Sequence, residues 1–296
     1  MIAPALSPHG VIGICSPSHI PEEEHFRTVL EPAVKRQGYS LYPSPCLFKA
    51  THGYLAAPEE RGQDFNYLVS QEEVELILFG GGEGSNELLP YLDFEALKHH
   101  PKRVCSYSDG TTILNTIWAN TGLITYYGWS PSQFEDLRVY DYRHFLGHLV
   151  RDDMKEHLSN SPWLVQTAGK ASGILVGGYC RNFAMLLNSQ YFPIDLNEKY
   201  LLFLEDHEMF GGVDYVSAML SHIEQSDFIN TVTGLLFGHY SAPVSPLLLE
   251  RLQRFGKAHH IPVIYCDDFG HGVNHAILPI GRRAELDADA CVLRYI

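Results

Sequence analysis

The sequence predicts an α/β protein, with a parallel sheet under helices in its first half and a strand-rich α/β unit in its second. Three observations lead there. Short apolar runs of strand length alternate with helix-length stretches through the first half. Glycines and acidic residues gather where several of those runs end. The 296 residues, 45% hydrophobic and 19% charged, suffice for two modest domains with real cores.

Gly10-Val-Ile-Gly-Ile-Cys reads as a buried strand, and the Glu22-Glu-Glu-His-Phe-Arg stretch after it as a helix. Gly38-Tyr-Ser-Leu-Tyr is a second strand, the segment from Pro58 to Val69 a helix, and Val74-Glu-Leu-Ile-Leu-Phe a third strand. A glycine loop, a helical region from Leu88 to His99 and the strand at Arg103 follow. The polar, histidine-rich stretch from about Ser130 to Val165 is expected to be a helical connection or linker. Beyond it, strands are expected at Ala171–Gly178, Tyr200–Leu204, Thr233–Gly238, Ile261–Tyr265 and Ala290–Ile296, with helices at Val213–Ile223 and Pro246–Ala258. The expected domains are 1–150 and 165–296.

Bulk properties narrow the function. A net charge of −14 argues against a nucleic-acid partner, because phosphate binding needs a basic face. Apolar runs fall far short of the ~20 residues that span a bilayer, so no membrane partner is expected. The N-terminus lacks a basic region and a long apolar stretch, so no secretory signal is expected. Six scattered cysteines without a Cys-x-x-Cys pair point to buried free thiols and a reducing, cytoplasmic compartment.

The most informative stretch is Arg103-Val-Cys-Ser-Tyr-Ser-Asp-Gly110. A strand enters a small-x-Ser-x-Gly turn and a helix follows at once, the layout that pushes a serine hydroxyl out of a sheet. Ser108 is the candidate nucleophile, although the same residues also make an ordinary helix cap. Phe79-Gly-Gly-Gly-Glu-Gly-Ser lacks phosphate-loop spacing. It fits an oxyanion hole, a carboxylate cradle or a plain tight turn. Glu205 closes a very apolar strand, either as an acid that orients a histidine or as part of a solvated turn. His271 stands between two glycines in Asp267-Asp-Phe-Gly-His-Gly, with room to act as general base. Asp267, Asp268, His271 and His275 also suggest a metal, but no second cluster supports it. Tyr126, Tyr127 and Trp129 are read either as pocket lining or as buried packing.

Ser108, Glu205 and His271 run in the order Ser…Glu…His, which also occurs in α/β-hydrolases. A hydroxyl attacks only if a neutral imidazole takes its proton, and a carboxylate then holds the ring and offsets its new charge. The N–H of Asp109, with one from Gly81 or Gly82, is expected to stabilise the oxyanion.

At these residues the chain resembles the LD-carboxypeptidase family of serine peptidases, which includes the microcin C immunity peptidases. The likeness runs through Ile12-Gly-Ile-Cys-Ser-Pro-Ser, Gly81-Gly82, Tyr107-Ser-Asp-Gly-Thr, Thr121-Gly-Leu-Ile-Thr-Tyr-Tyr-Gly, Leu202-Phe-Leu-Glu-Asp and Asp268-Phe-Gly-His. It implies a Ser–Glu–His triad at Ser108, Glu205 and His271, a Rossmann-like N-terminal domain, a smaller C-terminal domain and a homodimer. It implies no metal and no cofactor. The implied reaction cuts an amide near the carboxyl end of a short peptide, in murein recycling or, in the immunity branch, on a peptidyl nucleotide. Ser106, Gly110, Trp129 and Tyr179 depart from the family pattern and bear on substrate choice. A non-catalytic peptide-binding homologue is the competing class. If the chemistry is metal-free, EDTA leaves the rate of peptide hydrolysis unchanged; a loss on chelation, restored by a divalent cation, would refute it.

Overall fold

The structure, a computed structural model, describes residues 1–296 as two sheets flanked by helices. The strands are β1 Val11–Ile14, β2 Ser40–Pro43, β3 Val74–Leu78, β4 Arg103–Ser106, β5 Thr125–Tyr127, β6 Leu164–Thr167 and β7 Lys170–Tyr179. They continue as β8 Tyr200–Glu205, β9 Val232–Phe237, β10 Val263–Tyr265, β11 Leu278–Ile280, β12 Arg283–Asp287 and β13 Val292–Tyr295.

The first sheet runs β11-β5-β4-β3-β1-β2, in which β1 to β5 are mutually parallel. Four residues of β3 and all of β4 are buried, as expected of strands covered on both faces. The order 2-1-3-4-5 places a topological switch point between β1 and β3, where ligands bind outside the carboxyl ends of the strands. Both the glycine loop after β3 and the serine turn after β4 leave the sheet at that edge.

The second sheet runs β13-β12-β7-β8-β9-β10-β6. Its centre, β7 to β10, is parallel, and antiparallel strands close each side. All six residues of β8 are buried, including Glu205.

Four strands, β5, β6, β11 and β12, lie outside those expected from the sequence, and two of them change how the sheets are built. The stretch read as a linker up to Val165 ends in β6, which pairs antiparallel with β10. Before it come a helix at Val139–Phe145 and a single π turn at Leu146–Val150, in keeping with the helical part of that reading. From the far end of the chain, β11 returns to the first sheet and pairs antiparallel with β5, Leu278 opposite Tyr127. It is only three residues long and contains a proline, so it carries too little periodicity to read.

The sheets meet where β7 crosses the helix Thr111–Thr121 that follows the serine turn. Asn115 donates through Nδ2 to the Gly177 carbonyl at 2.8 Å and accepts from the Gly177 N–H at 3.2 Å. Thr111 Oγ1 accepts from the Tyr179 N–H at 2.8 Å. Gly177 and Gly178 have φ of 141° and 131°. A Cβ on Gly177 would overlap the Phe203 carbonyl oxygen, and one on Gly178 would overlap Thr111 Oγ1. Only glycine allows that approach in that conformation. Gly177→Ala is therefore expected to destabilise the fold by about 3 kcal/mol, read as a fall in denaturation midpoint; an unchanged midpoint would show that the crossing tolerates a side chain.

Candidate active site

Ser108 opens a short 3₁₀ turn between β4 and its helix, with φ at 55°. A β-substituted residue there carries strain of order 1–2 kcal/mol, held by the packing around it. Small neighbours make room for the turn. Ser106 Oγ donates to the Phe79 carbonyl at 2.8 Å, and a Cβ on Gly110 would overlap that hydroxyl. A Cβ on Gly81 would lie 2.6 Å from Ser108 Cβ, so the glycine loop touches the serine closely. The Gly82 position is packed equally tightly against the Ser18 carbonyl, to which the Glu83 N–H donates at 3.1 Å.

The carboxylate of Asp109 is buried and pins this assembly. One oxygen accepts from the Ser85 N–H at 2.8 Å and the other from Asn182 Nδ2 at 2.6 Å, tying the glycine loop and the helix Cys180–Leu186 to the turn.

Register carries Glu205 to the same place. Tyr179, held against Thr111, lies opposite Glu205 in the β7–β8 pairing. His271 comes from the loop after β10. Its Nε2 lies 3.0 Å from Ser108 Oγ, and its Nδ1 lies 2.8 Å from Glu205 Oε2. Gly270 has φ of 104°, and a Cβ there would lie 2.9 Å from Glu205 Oε2. The three residues singled out in the sequence thus stand in one hydrogen-bonded chain. Gly81, Gly82, Ser108 and His271 line a cavity of about 690 Å³.

Tyr127, whose role the sequence left open, is fully buried and lines no part of that cavity. Its hydroxyl accepts from the Ser108 N–H at 3.0 Å and donates to Glu205 Oε1. It reaches the serine turn because β5 lies beside β4, with Tyr127 opposite Ser106. Trp129 and Tyr126 are buried as well, so packing describes them and pocket lining does not.

The metal reading of Asp267, Asp268, His271 and His275 does not fit the donor arrangement. Asp268 is spent on four donors: the Asn160 N–H, Ser161 Oγ, Trp163 Nε1 and His157 Nε2. These bonds hold its carboxyl at about 2 despite the opposing effect of burial. His271 is engaged with Ser108 and Glu205, and Asp267 accepts from His239 Nδ1 and the Tyr265 hydroxyl.

Two adjacent acids stand at the end of β8, Glu205 as its last residue and Asp206 just beyond it. Burial pushes the Asp206 carboxyl up to about 7, only partly offset by the His207 N–H, and the charge of Glu205 adds to the rise. Glu205 instead takes two side-chain donors. Burial acts to lower the His271 pKa, but the charge and hydrogen bond of Glu205, with Asp206 behind, outweigh it and raise the pKa above 6.5. The rings of Tyr107, Phe210 and Tyr179 wall the imidazole at centroid distances of 4.8, 4.9 and 5.4 Å.

Cys105 and Cys266 are buried, and desolvation raises both thiols above their ordinary pKa. Neither is poised as a thiolate nucleophile.

Residues 12–128 match the LD-carboxypeptidase N-terminal domain, and residues 172–286 match the LD-carboxypeptidase C-terminal domain. The chain is 27% identical over 290 residues to the microcin C7 self-immunity protein MccF of Escherichia coli, covering 86% of this chain and 83% of that one. It is 27% identical over 301 residues to a Bacillus subtilis protein named as a probable murein peptide carboxypeptidase, covering 96% and 90%. The crystal structure of an MccF-like protein from Bacillus anthracis superposes with a TM-score of 0.89 at 25% identity, over 100% of this chain and 99% of that one. MccF in complex with aspartyl sulfamoyl adenosine superposes with a TM-score of 0.85 at 25% identity, over 100% and 98%.

The raised pKa has a sign that can be checked. The Glu205–His271 pair stabilises the fold fully below pH 6.5, and that contribution fades as pH rises through the folded pKa of His271. In a titration followed by nuclear magnetic resonance, the His271 ring is expected to lose its proton above pH 6.5, and Glu205→Gln to move that midpoint down. A midpoint unmoved by the substitution would dissociate the ring from the carboxylate.

Proposed function

The chain belongs to the LD-carboxypeptidase family and is a serine-type peptidase, and from that premise we propose that Ser108, His271 and Glu205 are its catalytic triad. One observation carries the assignment. A serine hydroxyl on a strained turn sits 3.0 Å from an imidazole nitrogen, with a buried carboxylate 2.8 Å from the other, at the edge of a 690 Å³ cavity.

Ser108 Oγ attacks the amide carbonyl of a short peptide while His271 Nε2 takes its proton. Glu205 fixes the Nδ1–H tautomer and offsets the imidazolium charge. The N–H groups of Asp109 and of Gly81 or Gly82 receive the oxyanion; the Ser108 N–H is already spent on Tyr127. His271 then protonates the leaving amine, and water, activated by the same ring, releases the acyl group. Tyr127 is a positioning residue that locks the turn and Glu205 to one hydroxyl. In this reading, residues 1–150 supply the nucleophile and the glycine loop, and 165–296 the acid and the base. No cofactor enters the scheme.

The scissile bond lies near the carboxyl end of the peptide. A second reading makes the leaving group a nucleotide. MccF is described in complexes with aspartyl sulfamoyl adenosine and glutamyl sulfamoyl guanosine. Tyr107, Tyr179, Phe210 and Phe26 line the cavity here and offer faces for a base. A peptide-binding homologue without chemistry is disfavoured, since binding alone does not require this hydrogen-bonded alignment. A homodimer and a cytoplasmic setting, the latter suited to six free cysteines, complete the proposal.

Ser108→Ala is expected to reduce hydrolysis of a murein-type tetrapeptide and of a peptidyl-nucleotide amide by roughly 10⁴-fold or more without unfolding the chain. Turnover matching that of the unsubstituted protein would remove Ser108 as nucleophile.

A further inference from the structure

A peptidase that cuts beside a terminal residue has to recognise the charge which marks that end. The cavity containing Ser108 and His271 is lined by one Lys or Arg side chain, Arg181. Against it stand three carboxylates, Glu22, Glu83 and Glu135. Glu135 is engaged with His25 at 2.9 Å.

Arg181 lines the same cavity as Ser108 and is held in place there. Its guanidinium sits over the Tyr179 ring, 5.5 Å from the centroid, and that ring is 5.4 Å from the His271 ring. The next residue, Asn182, grips the Asp109 carboxylate, so the base of the side chain is fixed to the serine turn. Arg181 Nη2 meets both oxygens of Glu83 at 2.6 Å. Glu83 directly follows Gly81 and Gly82, the proposed oxyanion donors, and its side chain is 74% exposed, against 26% for Arg181.

We propose that Arg181 is the subsite for the anion on the leaving group, and that Glu83 occupies this subsite until substrate displaces it. The assignment rests on the peptidase reading above. The Glu83 carboxylate has the geometry of a peptide's terminal carboxylate and meets the guanidinium as such a group would. Exposed ion pairs contribute little to stability, so an incoming anion displaces Glu83 easily. The shared chemistry is an oxyanion a few bonds beyond the scissile nitrogen: the α-carboxylate of a terminal amino acid, or the phosphate of a leaving nucleotide. Elsewhere the cavity wall carries the carboxylates of Glu22 and Glu135, which disfavour such a group.

The test compares three substrates: an LD-tetrapeptide with a free terminal carboxylate, its carboxamide, and a peptidyl-nucleotide amide. The unsubstituted protein is expected to prefer the acid to the carboxamide. Arg181→Gln is expected to erase that preference by raising KM for the anionic substrate roughly ten- to a hundredfold, the loss of a charge-assisted hydrogen bond. Arg181→Lys should restore part of it. Glu83→Gln should lower KM for the same substrate, because the competing carboxylate is gone. A loss confined to the peptide acid identifies the carboxylate as the anion, and one confined to the nucleotide substrate identifies the phosphate. An acid-to-carboxamide ratio and a nucleotide KM both unchanged in Arg181→Gln would overturn the subsite. The two readings fail separately: activity surviving Ser108→Ala defeats the peptidase mechanism, whereas a cutting enzyme indifferent to Arg181 defeats only the anion site.

Discussion

Everything at the proposed catalytic centre depends on how closely β7 crosses the helix behind Ser108. The nucleophile belongs to one sheet and the acid to the other, and the two connect at the backbone of Gly177 and Gly178. Because those residues lack side chains, Asn115 and Thr111 bond directly to the strand. The β7–β8 register then delivers Glu205 to a fixed point relative to the serine turn. Closeness at a glycine pair thus becomes alignment several residues away, with strand pairing as the ruler.

The same junction separates two neighbouring acids. Glu205 and Asp206 are adjacent and both buried, yet only Glu205 receives the Tyr127 hydroxyl and the His271 ring. Asp206 keeps one backbone donor, and its other oxygen has no partner. Its carboxyl is accordingly driven toward the neutral form, which spares the junction a second full charge. Which acid serves the histidine is settled by access to donors, not by intrinsic acidity. Tyr127 contributes further by joining the Glu205 carboxylate to the backbone of the residue that would attack.

Much of this was legible in the chain, for identifiable reasons. Ser108, Glu205 and His271 each follow an apolar strand, and the ends of parallel strands gather at one edge of a sheet. Gly81, Ser106 and Gly110 stood out as small residues where a turn needs room, and the close contacts there agree. The histidine-rich stretch before Val165 concealed β6, whose residues are only partly buried and so lack a clean alternation. Tyr127 and Arg181 were not legible as site residues. Their roles come from partners far away in sequence, Glu205 for one and Glu83 for the other, and no local pattern encodes such pairings. The four-donor arrangement around Asp268 escaped for the same reason, which is how its acidic neighbourhood came to resemble a metal site.

The return of β11 to the first sheet has a consequence for how this architecture can be inherited. The sheet's last backbone partner is supplied by residues 278–280, after five of the seven strands of the second sheet have been laid down. A recombination event that exchanged the front half for a homologue's would have to preserve a matching tail more than a hundred residues downstream, or leave β5 with a bare flank open to other chains. The two halves are therefore constrained to diverge as one lineage, and their modular appearance does not make them interchangeable parts.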